Sequence, residues 1–193
     1  MTVAHGHSVA NEVGRLLKEK LTPIRGEFAA RRVELRLPFD KPPTREEIQQ
    51  DIAKGQKPKA NTGEKNRGDL ATAALAALDR GESPLPTNLD YGVTTWTFGA
   101  DLAMVFLPGE VVVDYALRLK RELDGSRLWV TAYTNDVPCY IPSRRVLAEG
   151  GYEADNSMVY YGKLARLSPD IEDQIINTVK SLLSQTFVNH TPK

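Results

Sequence analysis

The sequence predicts an α/β protein, a mixed β-sheet flanked by helices, and three observations carry that expectation. The second half runs strand, helix, strand, helix, as layered α/β chains do. "DLAMVFLPG" is apolar at successive positions, the composition of a central strand in a sheet covered on both faces. "SPDIEDQIINTVKSLL" places Ile171, Ile175, Val179 and Leu182 at helical spacing. A chain of 193 residues, 41% hydrophobic and 26% charged, has the composition of one globular domain, taken as residues 1–193.

From the N-terminus, "TVAHGHSVANEVGRLLKEKL" reads as an amphipathic helix capped by Ser8 and ending before Thr22-Pro23. Its stripe of Val9, Val13, Leu16 and Leu17 needs a partner surface. "RRVELRLPF" alternates Val33, Leu35 and Leu37 with charged residues, a strand with one wet face that Pro38 ends. Thr44 and Glu47 form a capping box for "REEIQQDIAKG", and "GDLATAALAALDRG" is a helix closed by Gly81. Residues 55–67 between them are basic and contain Gly and Asn, and read as a solvated linker loop.

"YGVTTWTFGA" and "DLAMVFLPG" then read as consecutive strands, with Trp96, Phe98 and Trp129 assigned to the core. "EVVVDYALRLKREL" is a helix with Val112, Ala116, Leu119 and Leu123 on one stripe. "RLWVTAYT" is a buried strand, "SRRVLAEGG" a short helix and "SMVYYG" a strand. The last helix has Ser168 as cap, Pro169 at its first position, and Asp170, Glu172 and Asp173 at the positive end of its dipole.

Lys plus Arg and Asp plus Glu each number 25, so no net field draws the chain to nucleic acid. The single Cys139 excludes an internal disulfide framework and a cysteine zinc cage. No apolar run has the length of a signal peptide or membrane span, and localisation stays open. His5 and His7, two apart at a helix start, diverge and read as solvated, and His190 sits in an uninformative "NHT" sequon.

Chemistry concentrates in two places. Glu110 follows Pro108-Gly109 where an apolar strand enters a helix, the rim on which α/β proteins bind ligands. The carboxylate there is either an acid stabilised by the helix dipole or a metal ligand. A right-handed crossover into "RLWVTAYT" brings Asn135 to Tyr140 to the same rim. In "NDVPCYIPSRRVLAEGGYE", Tyr140 is walled in by Pro138 and Pro142, whereas Tyr152 hangs from Gly150-Gly151.

These segments, "FLPGEVVVDYALRLKREL" and "VTAYTNDVPCYIPSRRVLAEGGYEADNSMVYYG", resemble the later part of the catalytic domain of neutral/alkaline non-lysosomal ceramidases, a family of zinc-dependent amidases. The resemblance extends to the opening helix and the "LPF…PPTREEI" segment. It implies that Glu110, of P-x-E, and Tyr140, of "YIPS", are Zn2+ ligands, and that Tyr152, of "GGYE", donates to the scissile amide. Asn135 matches an asparagine five residues before the ligand tyrosine.

The family's two histidine ligands and its serine belong to the part of the domain preceding these segments. The expectation is therefore an incomplete catalytic domain, inactive alone, whose partners are an N-acyl lipid or other small amide and the missing N-terminal half or a complementary chain. Complete family members are often secreted or membrane-associated. The competing expectation is a non-catalytic fragment acting as an interaction module.

Overall fold

Side-chain alternation on two long strands decides which way the sheet faces. The computed structural model describes residues 2–83 and 85–188; His190 and its sequon lie outside the described residues. In chain order the elements are α1 (Thr2–Leu16), β1 (Phe28–Pro38), α2 (Arg45–Gly55), α3 (Thr62–Asp79), β2 (Asn88–Phe98), β3 (Leu102–Phe106) and β4 (Glu110–Val111). There follow α4 (Val113–Glu122), β5 (Leu128–Thr131), β6 (Tyr140–Ile141), α5 (Arg144–Glu149) and α6 (Ile171–Leu182), with 3-10 turns at Asn156–Tyr161 and Gln185–Phe187.

The main sheet has the order β1-β2-β3-β5, antiparallel except for the parallel β3–β5 pair, so the expected mixed α/β architecture is present. Register puts Leu35, Leu37, Tyr91, Val93, Ala103, Val105 and Leu128 on one face, where they join one core with Tyr115 and Leu119 of α4 and Ile171, Ile175 and Val179 of α6. Tyr91, Val93 and Val105 are at most 1% exposed. At about 25 cal/mol per Å² of apolar area removed from water, this seam is the main source of the fold's stability.

The opposite face corrects the assignment of the tryptophans to the core. Trp96 pairs with Met104, which pairs with Trp129, so the two-residue period places both indoles away from Val93 and Val105. They are 39% and 59% exposed. Phe28, Phe98 and Phe106 share that side, with Phe28 edge-on to Trp96 at 5.7 Å. β3 is central, as its composition suggests, but among the described residues helices cover only one of its faces.

Five further expectations change. Ser8 does not cap the first helix but lies inside α1, its Oγ donating to the Ala4 carbonyl at 3.0 Å. The helix expected from Glu110 begins only at Val113, because Glu110 and Val111 pair with Tyr140 and Ile141 as a strand. The 55–67 linker shrinks to residues 56–61, because α3 begins at Thr62 with a capping box in which Asn61 accepts from the Glu64 amide and Glu64 accepts from Asn61. "SMVYYG" is a 3-10 turn rather than a strand. Ser157, Met158 and Val159 are buried in the turn, and Gly162 closes it with a left-handed φ of 70°. Finally, α6 starts at Ile171, and Ser168 Oγ accepts from the Asp170 amide just before it, so the capping hydroxyl sits outside the helix. The Thr44 capping box of α2 forms as expected. No helix among the described residues is long and apolar enough to cross a membrane.

α2 and α3 form a helical hairpin around Ile48, Ala71, Ala74 and Leu164, packed on the 156–161 turn. Their backbones meet at Gly55 and Gly68: a Cβ on Gly55 would lie 2.8 Å from the Glu64 carbonyl oxygen. Ala is favoured over Gly in helices by about 1 kcal/mol, yet here the helices would have to separate. Gly55→Ala is therefore expected to destabilise the protein by about 1 to 3 kcal/mol, read as a lower denaturant midpoint with unchanged slope. A stabilised variant would show that the helices do not cross this closely.

Candidate functional site

A second, two-stranded ladder builds the site. β4 pairs with β6 in parallel, with Glu110 opposite Tyr140 and Val111 opposite Ile141. The Gly109 amide donates to the Asp136 carbonyl at 2.9 Å, Glu110 to Cys139 at 3.0 Å and Val112 to Ile141 at 3.2 Å. Gly109 adopts a φ of 84°, and a Cβ there would sit 2.7 Å from the Cys139 oxygen, so only glycine lets the two strands approach.

Two buried tyrosines brace this ladder from the core. Tyr91 Oη donates to the Pro108 carbonyl at 2.9 Å, and Tyr115 Oη donates to the Pro142 carbonyl at 3.1 Å. Burial pushes both phenols well above their ordinary pKa, which keeps them protonated as donors. Ser143 accepts from the Val146 amide to cap α5 and donates to Asp114 of α4, so the helices on either side of Tyr140 are tied together. Arg145 and Ser143 hold the Asp114 carboxyl below the usual carboxylate range.

On this frame the Glu110 carboxylate collects phenols. Tyr161 Oη donates to Oε1, Tyr133 Oη donates to Oε2 at 2.7 Å, and Tyr140 donates as well. The hydrogen bonds from Tyr161, Tyr133 and Tyr140 together hold Glu110 below the usual carboxylate range against the opposing effect of burial. Tyr140, donating to Glu110, has its phenol pushed up to about 12, with burial adding to the shift. Tyr133 reaches the carboxylate because the chain after β5 turns through left-handed conformations at Tyr133, φ 57°, and Asn135, φ 66°. Its amide donates to the Gly109 carbonyl at 3.0 Å.

Tyr152 stands apart in one respect. Its ring packs edge-on against Tyr140, with centroids 5.8 Å apart, and lies tilted against Tyr160 at 6.4 Å. Among the described residues its hydroxyl makes no hydrogen bond, and the side chain is 51% exposed. Gly150 and Gly151, with φ of 71° and 97°, supply the backbone turn that presents it. Tyr152 and Tyr160 also wall a cavity of about 370 Å³ whose other side carries Asn61, Arg67 and Asn156.

The structure thus brings together Glu110, Tyr140 and Tyr152, the three residues singled out in the sequence, and adds Tyr133 and Tyr161. Tyr133 was hidden at the end of "RLWVTAYT" and Tyr161 in a segment read as a strand. Neither had a spacing that pointed to Glu110, because the turn and the 3-10 segment that aim them are tertiary features. Asn135 is exposed at the same rim without a side-chain hydrogen bond among the described residues.

The donor set can be compared with what Zn2+ requires. Catalytic zinc takes three protein ligands, usually including imidazole. Glu110 and Tyr140 offer oxygens, but His5 and His7 lie exposed on α1, which no hydrogen bond or ion pair ties to the site among the described residues. The Cys139 thiol is buried beneath the ladder and pushed up to about 12. No three His, Cys, Asp or Glu side chains gather as a metal-binding group among the described residues. A carboxylate held by three protonated phenols is a proton-holding cluster, and the described residues on their own do not complete a zinc ligand set. No family model, curated protein or solved structure matches the chain.

The cluster has a spectroscopic signature. Because the folded pKa of Tyr140 lies near 12, above the ordinary 10.0, its contact with Glu110 stabilises the fold fully below pH 10 and is lost as pH rises through about 12. Phenolate absorbance, taken as the difference between the wild type and Tyr140→Phe, is expected to place this group near 12. Glu110→Gln should return it toward 10.0. A Tyr140 titration unmoved by Glu110→Gln would contradict the hydrogen bond.

Proposed function

We propose that this chain is the carboxylate-and-phenol part of a ceramidase-type amide hydrolase, acting on an N-acyl substrate and inactive without a second segment. The observation that carries this reading is the β4–β6 register, which sets Glu110 and Tyr140 side by side on one rim with Tyr152 edge-on beside them. Glu110 and Tyr140 would supply two oxygen donors to a Zn2+ whose remaining ligands lie outside this pair. The imidazoles and the serine come from a preceding half-domain or a complementary chain. When bound, such a metal supplies an acidified water. Tyr152, whose hydroxyl is uncommitted, donates to the carbonyl oxygen of the amide as negative charge develops there.

The open donor set equally favours a second reading, a non-catalytic interaction module. The two differ in what happens when the missing ligands are supplied. In the first, the chain alone retains no stoichiometric zinc after dialysis and cleaves no N-acyl substrate, while a complementing segment bearing two histidines restores both. In the complemented protein Tyr152→Phe is expected to keep the metal and lower turnover by roughly a hundredfold, the scale of one lost oxyanion donor. Tyr140→Phe should lower zinc occupancy instead. Tight zinc in the chain alone, or a Tyr152→Phe variant that loses its metal, would refute these assignments.

A further inference from the structure

The row of rings that begins at the rim continues into a cleft with chemistry of its own. Tyr152 lies between Tyr140 at 5.8 Å and Tyr160 at 6.4 Å, so its ring stands between the Glu110–Tyr140 rim and the cavity of about 370 Å³. Tyr152 and Tyr160 are each about half exposed, and the cleft is open to solvent. Buried Val159 is its one aliphatic lining residue among the described residues. Gly63 leaves room for Tyr160, whose Oη would lie 3.2 Å from a Cβ at that position.

The polar side of the cleft is a set of donors without acceptors. The Arg67 side chain is 27% exposed and reaches Asp51 of α2 only at 3.7 Å, and Asp51 stands as far from Lys54. The guanidinium carries five N–H groups yet donates no hydrogen bond among the described residues. The side-chain amides of Asn61 and Asn156 and the hydroxyls of Tyr152 and Tyr160 likewise donate to nothing among those residues. Glu64 is the only carboxylate lining the cleft among the described residues, and it is already committed. Its Oε2 accepts from the Asn61 amide at 2.8 Å, and its charge sits at the positive dipole end of α3. What remains is one unsatisfied cation among neutral donors, a setting for an anion with several acceptor oxygens.

We propose that this cleft takes a carboxylate carried on the amine portion of the substrate, so that the substrates are N-acyl amino acids. The placing of the amide at Tyr152 rests on the amidase reading above. With the amide carbonyl at the Tyr152 hydroxyl, one arm of the substrate runs past the ring into the cleft. A fatty acyl arm would strip water from Arg67, Glu64, Asn61 and Asn156 and return no hydrogen bond, so the polar amine arm enters instead. A cationic arm is repelled by Arg67, and an uncharged one leaves the guanidinium unpaired. A carboxylate is planar, meets the guanidinium fork with two parallel hydrogen bonds, and keeps lone pairs for the asparagine amides. A cavity of this volume lies at the small end for ligand sites, with room for an amino-acid-sized group but not for a long alkyl amine. Hydrolysis places the hydroxyl of water on the acyl carbon and a proton on the leaving nitrogen, releasing a fatty acid and an amino acid.

The test is binding to the full chain alone, without metal or a complementing segment, using short-chain amides that do not form micelles. N-hexanoylglycine is expected to bind tighter than N-hexanoylethanolamine by roughly tenfold or more, the scale of hydrogen bonds to a charged group. In spectra of ring-labelled tyrosines it should move the signals of Tyr152 and Tyr160 and leave those of buried Tyr91 and Tyr115 in place. Arg67→Met should reduce the glycine conjugate to the affinity of the ethanolamide with circular dichroism unchanged, and Arg67→Lys should recover part of the loss. Equal affinity for the two amides overturns the proposal, and this comparison needs only the wild type, so it decides the matter even if a variant fails to fold. Acetate or inorganic phosphate binding as tightly as N-hexanoylglycine also overturns it, because that is an anion site without the amide. Such a failure leaves the amidase reading standing, since a complemented protein that cleaves uncharged N-acyl amides is still an amidase. Conversely, N-hexanoylglycine that binds as expected but is not cleaved after complementation refutes the amidase reading and keeps the carboxylate site.

Discussion

The site depends on a contact between two backbones. Gly109 comes so near the Cys139 carbonyl that a methyl group would not fit, and the hydrogen bonds from Gly109, Glu110 and Val112 to the β6 segment follow from that approach. A two-residue ladder is too short to hold itself together. It persists because Tyr91 and Tyr115 reach up from the core and hold the carbonyls of Pro108 and Pro142, one just before β4 and one just after β6. The fully buried core therefore positions the rim through two hydrogen bonds. Without Gly109 the strands separate, and Glu110 and Tyr140 cease to be neighbours.

With the ladder in place, the electrostatics of the rim follow from proximity. A carboxylate beside three phenols lowers its own pKa and raises that of Tyr140, since each hydrogen bond favours the ionised acid and the protonated phenol. The arrangement stores protons around one negative charge. Tyr152 touches this cluster through its ring while its hydroxyl stays uncommitted, so the residue free to meet a ligand is distinct from those that hold the carboxylate.

The sheet divides the molecule into a covered and an uncovered half. α4 and α6 bury one face, and the pairs of Arg118 with Glu172 and Asp173 and of Lys180 with Glu122 fasten those helices to one another. The other face and α1 carry apolar side chains without a partner among the described residues. Local sequence signals do not distinguish the two halves, because Val93 and Trp96 suit a strand equally well and only the side on which helices pack makes one core and the other surface.

The sequence by itself determined the local features: the capping box at Thr44, the period-2 pattern of β1, the helical stripe of α6 and the placement of Glu110 at a strand end. Each is legible because its cause lies within a few residues, in a cap, a period or a turn. It also singled out Glu110, Tyr140 and Tyr152, whose neighbouring prolines and glycines announce backbone constraint. Only the tertiary structure decided that Tyr133 and Tyr161 join them, that Trp96 and Trp129 face outward, and that 156–161 coils as a 3-10 turn. Those outcomes rest on contacts between residues far apart in the chain, where register and the choice of covered face, rather than local propensity, set the energy.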